Sequence, residues 1–316
     1  MQSEDFRNEC NRLTGAPITA GKQLGLAVSG GPDSLAMLLL AHGAFPGAIA
    51  AATVDHGLRP EAAGEAEYVA SLCADLDVPH AILTPAAPIE GNLQSEARKA
   101  RYALLENWRA GNDLAWVATA HHADDQLETQ LMRLMRGSGI DGLSAIRPVN
   151  DHVIRPLLNV RKAELETYLA KRGIEAAHDA GNEDTQFDRV RIRQMLADLP
   201  GYDPSRIAQS AAALREASEA LKWVVRREAG KVVEDRGDAV SLLEIAYPPE
   251  LLRRLVQLCL EEIEPGIAPR GEALDRFIDT LRSGRKARIG AILGETQDED
   301  GSSSWRFTLA PPRKTG

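Results

Sequence analysis

The chain has 316 residues, about twice the usual length of one domain, so two compact units are expected. Hydrophobic residues make up 44% and charged residues 26%, no stretch approaches 18 uninterrupted apolar residues, and the start, MQSEDFRNEC, is polar and acidic; neither a transmembrane helix nor a secretory leader is expected, and a cytoplasmic globular protein is. The net charge of −9 argues against a nucleic-acid partner for the chain as a whole, but the acidic excess lies mostly before residue 150, and two basic clusters, Arg189/Arg191/Arg193 and Arg282/Arg285/Lys286/Arg288, suit either phosphate or a solvated face.

In chain order, apolar strand-like runs at 24–29, 49–55, 80–85 and 114–120 alternate with helical patterns at 33–43, 60–77, 92–110 and 123–136. That alternation is the signature of βαβ units, so the fold class is α/β with a doubly wound parallel sheet. Glycines and prolines break the pattern over 136–158, which reads as a functional loop and a short extended segment. Helices at 161–173 and 186–198 complete the first domain, residues 1–205. The remainder, 206–316, is expected to be smaller and mainly helical, with helices over 204–230, 248–264 and 269–283 and a late strand in SSSWRFTLAPP. Cys10, Cys73 and Cys259 stand far apart, which points to neither a disulfide framework nor a CxxC site.

The segment LAVSGGPDSLAMLLL (26–40) carries an apolar strand through two glycines into an apolar helix. Such a turn leaves backbone N–H groups unpaired at the carboxyl edge of the sheet. Gly30 and Gly31 remove the Cβ atoms that would block an anion, Ser29 and Ser34 add hydroxyls, and the dipole of a helix opening at Pro32 and Asp33 favours phosphate. The GxxxxGK[ST] and GxGxxG spacings are absent. Asp125 and Glu128 lie three apart and share a helix face, an arrangement suited to Mg²⁺ beside phosphates or to an ammonium group. Adjacent His121 and His122 at a strand end point in opposite directions, so a zinc site is not expected, and one of them should line the ligand crevice. Arg98 and Arg101 suit a phosphate, a carboxylate or RNA.

The hexapeptide Ser29–Ser34 resembles the SGGxDS loop of the PP-loop ATP pyrophosphatases. With VDHGLR (54–59), ARKARY (97–102), TAHHADDQLET (119–129) and RGSGIDGL (136–143), the chain over about 24–200 resembles the tRNA(Ile)-lysidine synthetase family. The resemblance implies an adenine nucleotide alpha hydrolase-like fold, ATP and Mg²⁺ as cofactors, and free L-lysine and isoleucine tRNA with a CAU anticodon as partners, with no membrane partner. It implies that Ser29, Gly30, Gly31, Pro32, Asp33, Ser34, Asp55 and His121 bind ATP, and that Asp33 and Asp125 hold the metal. Asp33, Arg101, Asp125 and Glu128 are then catalytic, and Arg98, Arg189 and Arg193 meet substrate or RNA. Within DAGNEDTQFDRVRIR (179–193), Asp179, Asn182, Asp184, Arg189 and Arg193 match the family, whereas Gly181 and Val190 replace its Ser and Asn. Competing readings are a thiolating base-modifying enzyme, a small-molecule adenylating enzyme and an inert nucleotide- or RNA-binding protein. Thiolation commonly relies on paired cysteines or a cluster, which the three isolated cysteines do not provide.

Overall fold

The computed structural model describes residues 1–21, 23–57, 61–87, 93–174, 188–197, 201–269, 271–299 and 302–310. They form two compact units, Met1–Arg215 and Glu216–Gly316.

The first unit runs α1 (Ser3–Thr14), β1 (Leu24–Ala27), α2 (Pro32–Ala44), β2 (Ile49–Val54), α3 (Glu61–Asp75), β3 (His80–Leu83), α4 (Leu93–Gly111), β4 (Trp116–Ala118) and α5 (Ala123–Met135). It continues through the single turn α6 (Ile140–Leu143), β5 (Val149–Asn150), β6 (Val153–Ile154), α7 (Lys162–Ala170) and α8 (Asp188–Ala197) into α9 (Pro204–Val232), which crosses into the second unit. The sheet order is β3-β2-β1-β4-β6-β5, with every pair parallel except β5 against β6.

Alternation within the short strands divides the core between two faces of this sheet. Leu24, Leu26, Ile49 and Ala51 join a cluster with Phe6, Leu35, Leu38 and Leu165 from α1, α2 and α7. Ala50 and Ala52 face the other way, onto Leu105 and Trp108 of α4 with Leu114 and Val117. Helices therefore cover both faces, and α2 is buried almost all round, as its run of Leu, Ala and Met requires. The N-terminal helix α1 was not anticipated from the polar start; Phe6, Cys10 and Leu13 recur at helical spacing and are buried.

In the second unit, β7 (Val233–Asp235), β8 (Ala239–Leu242), α10 (Pro249–Ile263), α11 (Gly271–Arg282), β9 (Ala287–Ile289), β10 (Ile292–Glu299) and β11 (Ser302–Leu309) follow the end of α9. The three expected helices and the late strand are present, together with four further strands in an antiparallel sheet of order β7-β8-β11-β10-β9. Trp305 and Phe307 of β11 pack with Leu255, Cys259, Phe277 and Leu281 from α10 and α11. The added strands escaped a sequence reading because three are only three or four residues long and the fourth is largely polar. No helix among the described residues is long and apolar enough to cross a membrane.

Gly25 sits in the central strand β1, where an added Cβ would lie 2.7 Å from the Trp108 ring and 3.1 Å from Leu114. Overpacking of this kind costs about 1–3 kcal/mol. Gly25→Val should therefore lower the urea unfolding midpoint by a corresponding amount; an unchanged midpoint would show that Trp108 moves aside freely.

Candidate active site

The loop after β1 is held by its own polar groups. Val28 continues the sheet by donating its N–H to Ala52 O at 2.9 Å. The buried Ser34 hydroxyl accepts from Ser29 N at 3.1 Å and donates to Gly31 O at 2.9 Å, closing the loop against the first turn of α2. Gly30 has φ +86 and faces Val69 and the Glu65 backbone, so a side chain there is strained. Gly31 caps α2 without a side-chain bond and Pro32 opens it, which leaves the N-terminal turn turned toward solvent and anions. Of the two serines expected as donors, Ser34 braces the loop and Ser29 is exposed.

Above this loop lies a cavity of about 520 Å³, within the range of small-molecule sites. Its walls come from the carboxyl ends of β1, β2 and β4 and from the helices over them. Ser29, Gly31, Asp33, Ser34, Arg98, Arg101, His121, Asp125 and Arg189 all line it, as do His56 and Thr119. Gly30, Pro32, Asp55, Glu128 and Arg193 are outside the lining set; Asp55 instead accepts the Gly57 N–H at 2.8 Å in the turn after β2.

The acidic side of the site is organised by His122, which is 3% exposed and stands at the N-cap of α5. Its Nε2 lies 3.4 Å from Asp33 Oδ2 and 3.5 Å from Asp125 Oδ2, while Nδ1 is 3.6 Å from Asp124 Oδ2. Burial alone would push His122 down; the hydrogen bond to Asp33 and the charges of Asp125, Asp33 and Asp124 outweigh it and raise the imidazole above its ordinary value. Burial opposes ionisation of Asp125, but His122, Arg189 and the His122 backbone N–H hold its carboxyl below the usual range. Asp124 accepts the Lys162 N–H at 2.8 Å, which ties α7 to the start of α5.

Asp125 and Glu128 share a face of α5, as their spacing requires, but their carboxylates do different things. Glu128 is buried under α8, where Arg193 grips it through Nε at 2.6 Å and Nη2 at 3.2 Å. Arg189 Nε lies 3.2 Å from the same carboxylate and its Nη2 donates to Thr129 at 3.0 Å. Burial still raises Glu128, against the pull of Arg193. The structure thus brings Glu128, Arg189 and Arg193 together as an ion cluster and leaves Asp125 facing the cavity. Val190, one of the two departures from the family pattern, is buried, so an apolar side chain suits it. Asp179, Gly181, Asn182 and Asp184 lie outside the described residues.

The opposite wall is cationic. Arg98 and Arg101 project from α4, and His121 lies after β4 with Nδ1 3.0 Å from Thr119 Oγ1. Burial first, then the charges of Arg155, Arg101 and Arg98, push His121 down to about 3, so it faces the ligand as neutral imidazole. His56 is also lowered, by burial and by Arg101. Sequence reasoning gave no role to Tyr102, Gln126 or Arg155. Gln126 is 1% exposed and clamps Ile146 through both its amide oxygen, at 2.7 Å, and its amide nitrogen, at 2.9 Å. The sequence signal for Arg155 was a charged residue set between the apolar pairs Val153–Ile154 and Leu157–Leu158.

A Mg²⁺ ion fits the acidic side on local grounds. Asp33 Oδ1 is buried with no hydrogen-bond partner, and the carboxylates of Asp33 and Asp125 already converge on one nitrogen atom.

Comparison with known proteins agrees with this geometry. The family model described as a PP-loop domain matches residues 2–199. The chain is 40% identical to the tRNA(Ile)-lysidine synthase of Zymomonas mobilis, over 98% of this chain and 94% of that protein. It is 40% identical to the tRNA(Ile)-lysidine synthase of Novosphingobium aromaticivorans, over 92% and 90% of the two chains. Among solved structures, a U34-tRNA thiolase from Methanococcus maripaludis superposes with a TM-score of 0.56 at 16% identity, covering 67% of this chain and 79% of that one, a likeness of fold.

The raised His122 value makes a signed prediction for His122→Asn, which keeps a capping side chain but removes the titrating ring. The histidine's extra stability is fully present below its unfolded value of about 6.5 and is lost as pH rises through the raised folded value. The stability gap between the two proteins, read from urea midpoints at pH 5 to 9, should therefore shrink with rising pH. A gap independent of pH would remove the charged ring from this account.

Proposed function

The chain belongs to the tRNA(Ile)-lysidine synthase family of PP-loop proteins and is an ATP-using ligase, and from that premise we propose the following assignment of substrates and residues. The RNA substrate is isoleucine tRNA with a CAU anticodon, the amino acid is free lysine, and the product carries lysine on C2 of the wobble cytidine, which shifts decoding from AUG to AUA. The observation that carries this reading is the junction of the Ser34-braced loop with the Asp33–His122–Asp125 group at one cavity.

In the first step the cytidine O2 attacks the α phosphorus of ATP and pyrophosphate leaves. The loop from Ser29 to Ser34 and the first turn of α2 receive the pyrophosphate end, offering donors already fixed in place. Asp33 and Asp125 would hold Mg²⁺, whose charge offsets that of the phosphates. Arg98 and Arg101 face the cavity from the other wall and stabilise negative charge there. Adenylation turns O2 into a leaving group, so the ε-amine of lysine attacks C2 and AMP departs.

Lysine enters as an ammonium ion, its side chain having an ordinary pKa of about 10.4. Asp125 faces the cavity and is held ionised, which suits it to bind that ammonium; the proton the nitrogen sheds before it attacks C2 passes to Asp125 or to water in the cavity. Glu128 acts through Arg189 and Arg193, fixing α8 against α5. Sulfur transfer finds no support in the thiols: all three cysteines are buried and free, and burial pushes Cys73 up to about 11 and Cys259 up to about 12.

Residues 1–205 are assigned catalysis and 206–316 contact with the tRNA body. The exposed corner between α11 and β9 supports the second assignment. Lys286 there pairs with Glu295 at 2.5 Å, but among the described residues Arg282, Arg285 and Arg288 have no carboxylate within ion-pair distance. Three uncompensated guanidinium groups in a chain of net charge −9 suit a phosphate backbone.

The deciding experiment is mass spectrometry of an unmodified isoleucine tRNA transcript with a CAU anticodon after incubation with protein, ATP, Mg²⁺ and lysine, alongside a lysine-free control. A lysine-dependent mass gain on the wobble cytidine is expected, and Asp125→Ala should fold normally yet abolish it. No gain from folded wild-type protein with competent RNA would overturn the assignment. Separately, replacing Arg282, Arg285 and Arg288 together by Ala should weaken binding of the whole tRNA and flatten its log–log salt dependence by about 2–3. An unaltered salt slope would remove this corner from the RNA contact.

A further inference from the structure

Arg155 is an unusual residue to find where it stands. It follows β6, at the carboxyl edge of the parallel sheet beside the end of β4, and it is 5% exposed. Its Nη1 donates to Arg147 O at 2.7 Å, and its Nη2 reaches the Tyr102 hydroxyl at 3.4 Å. The Nε is buried without a partner, and among the described residues no carboxylate lies within ion-pair distance of this guanidinium. A buried cation with an unspent donor and no counter-charge is costly unless something outside the free chain compensates it.

Tyr102 links that cation to the cavity. Its ring lies 5.1 Å from the Arg98 guanidinium carbon and 5.4 Å from that of Arg101, so three arginines from two distant parts of the chain converge on one phenol. Arg98 and Arg101 line the cavity, whereas Tyr102 and Arg155 stand behind them. Three like charges gathered this closely repel one another, and the aromatic face and the phenolic oxygen are the groups that hold them in place.

We propose that Tyr102 and Arg155 are positioning residues, which hold Arg98 and Arg101 as a preformed clamp for a small oxyanion on the cationic wall of the cavity. The anion completes the charge balance that the free chain lacks. Two oxyanions of suitable size come to this site under the functional reading on which the proposal rests: a phosphate of ATP and the carboxylate of the free amino acid. The acidic wall at Asp33 and Asp125 is unsuited to either one without a cation.

The test compares the wild type with Tyr102→Phe, Tyr102→Leu, Arg155→Lys and Arg155→Gln. Calorimetry reads ATP affinity without tRNA, and the mass-spectrometric assay reads KM and kcat for lysine and for 1,5-diaminopentane, which has the same amine and no carboxylate. Tyr102→Leu and Arg155→Gln should weaken one oxyanion at least tenfold while leaving the other within twofold. Tyr102→Phe and Arg155→Lys, which keep the ring or the charge, should recover most of that loss.

A fall in ATP affinity identifies phosphate as the anion. A rise in the lysine KM, with the wild-type preference for lysine over 1,5-diaminopentane erased, identifies the carboxylate. The proposal is overturned if folded Tyr102→Leu and Arg155→Gln keep both ATP affinity and lysine KM within twofold of wild type, or if kcat falls in parallel with both, as a general collapse would produce. Should Tyr102→Leu fail to fold, Arg155→Gln against Arg155→Lys carries the same comparison. A wild type that binds ATP but transfers no lysine overturns the functional reading and leaves the ATP arm of this test intact.

Discussion

Two carboxylates from separate helices converge on one buried imidazole, and the catalytic unit is built around that contact. Asp33 opens α2, Asp125 opens α5, and the ring of His122 stands between them at 3.4 and 3.5 Å. Because His122 Nδ1 also accepts the Asp125 N–H at the N-cap of α5, the ring on which the two carboxylates converge is the one that sets where the helix starts. The position of Asp125 toward the cavity follows from this cap. So does the docking of α7, through the bond from Lys162 to Asp124.

The cavity above this group is divided by charge. One wall gathers Asp33 and Asp125, and the other gathers Arg98 and Arg101, with His121 kept neutral near them. The division gives the polyanionic nucleotide of an ATP-using ligase a complementary cationic wall. Arg189, which lines the cavity, and Arg193, which does not, both pair with the one carboxylate of Glu128. Arg193 also comes within 4.0 Å of Asp125.

Much of this was legible in the sequence. The turn at Ser29–Ser34, the four alternating strands and helices around it, and the shared face of Asp125 and Glu128 all rest on local spacing, and local spacing survives folding because it is set by backbone geometry. The glycine at position 30 is another such case: its positive φ is a property of the turn itself. The helix at 3–14 was overlooked although its Phe6, Cys10 and Leu13 spacing was present, because three apolar residues in a polar segment make a weak signal until a partner surface exists.

What only the tertiary structure decided is which partner each charged group meets. Glu128 and Arg193 are 65 residues apart, and Tyr102 and Arg155 are 53 apart. No spacing rule reaches across such distances, so the sequence left Glu128 beside Asp125 as an equal candidate. The fold separated them by sending α8 to one and the cavity to the other. In the second sheet the pairs β7–β8 and β9–β10 are local hairpins, and only the pairing of β8 with β11 joins segments distant in sequence. The sequence by itself determined the family, the nucleotide loop and the helix faces, since these are written in contiguous residues. The assignment of charges to partners belongs to the tertiary structure, because electrostatic energy depends on distance in space and on burial, and neither is a property of position along the chain.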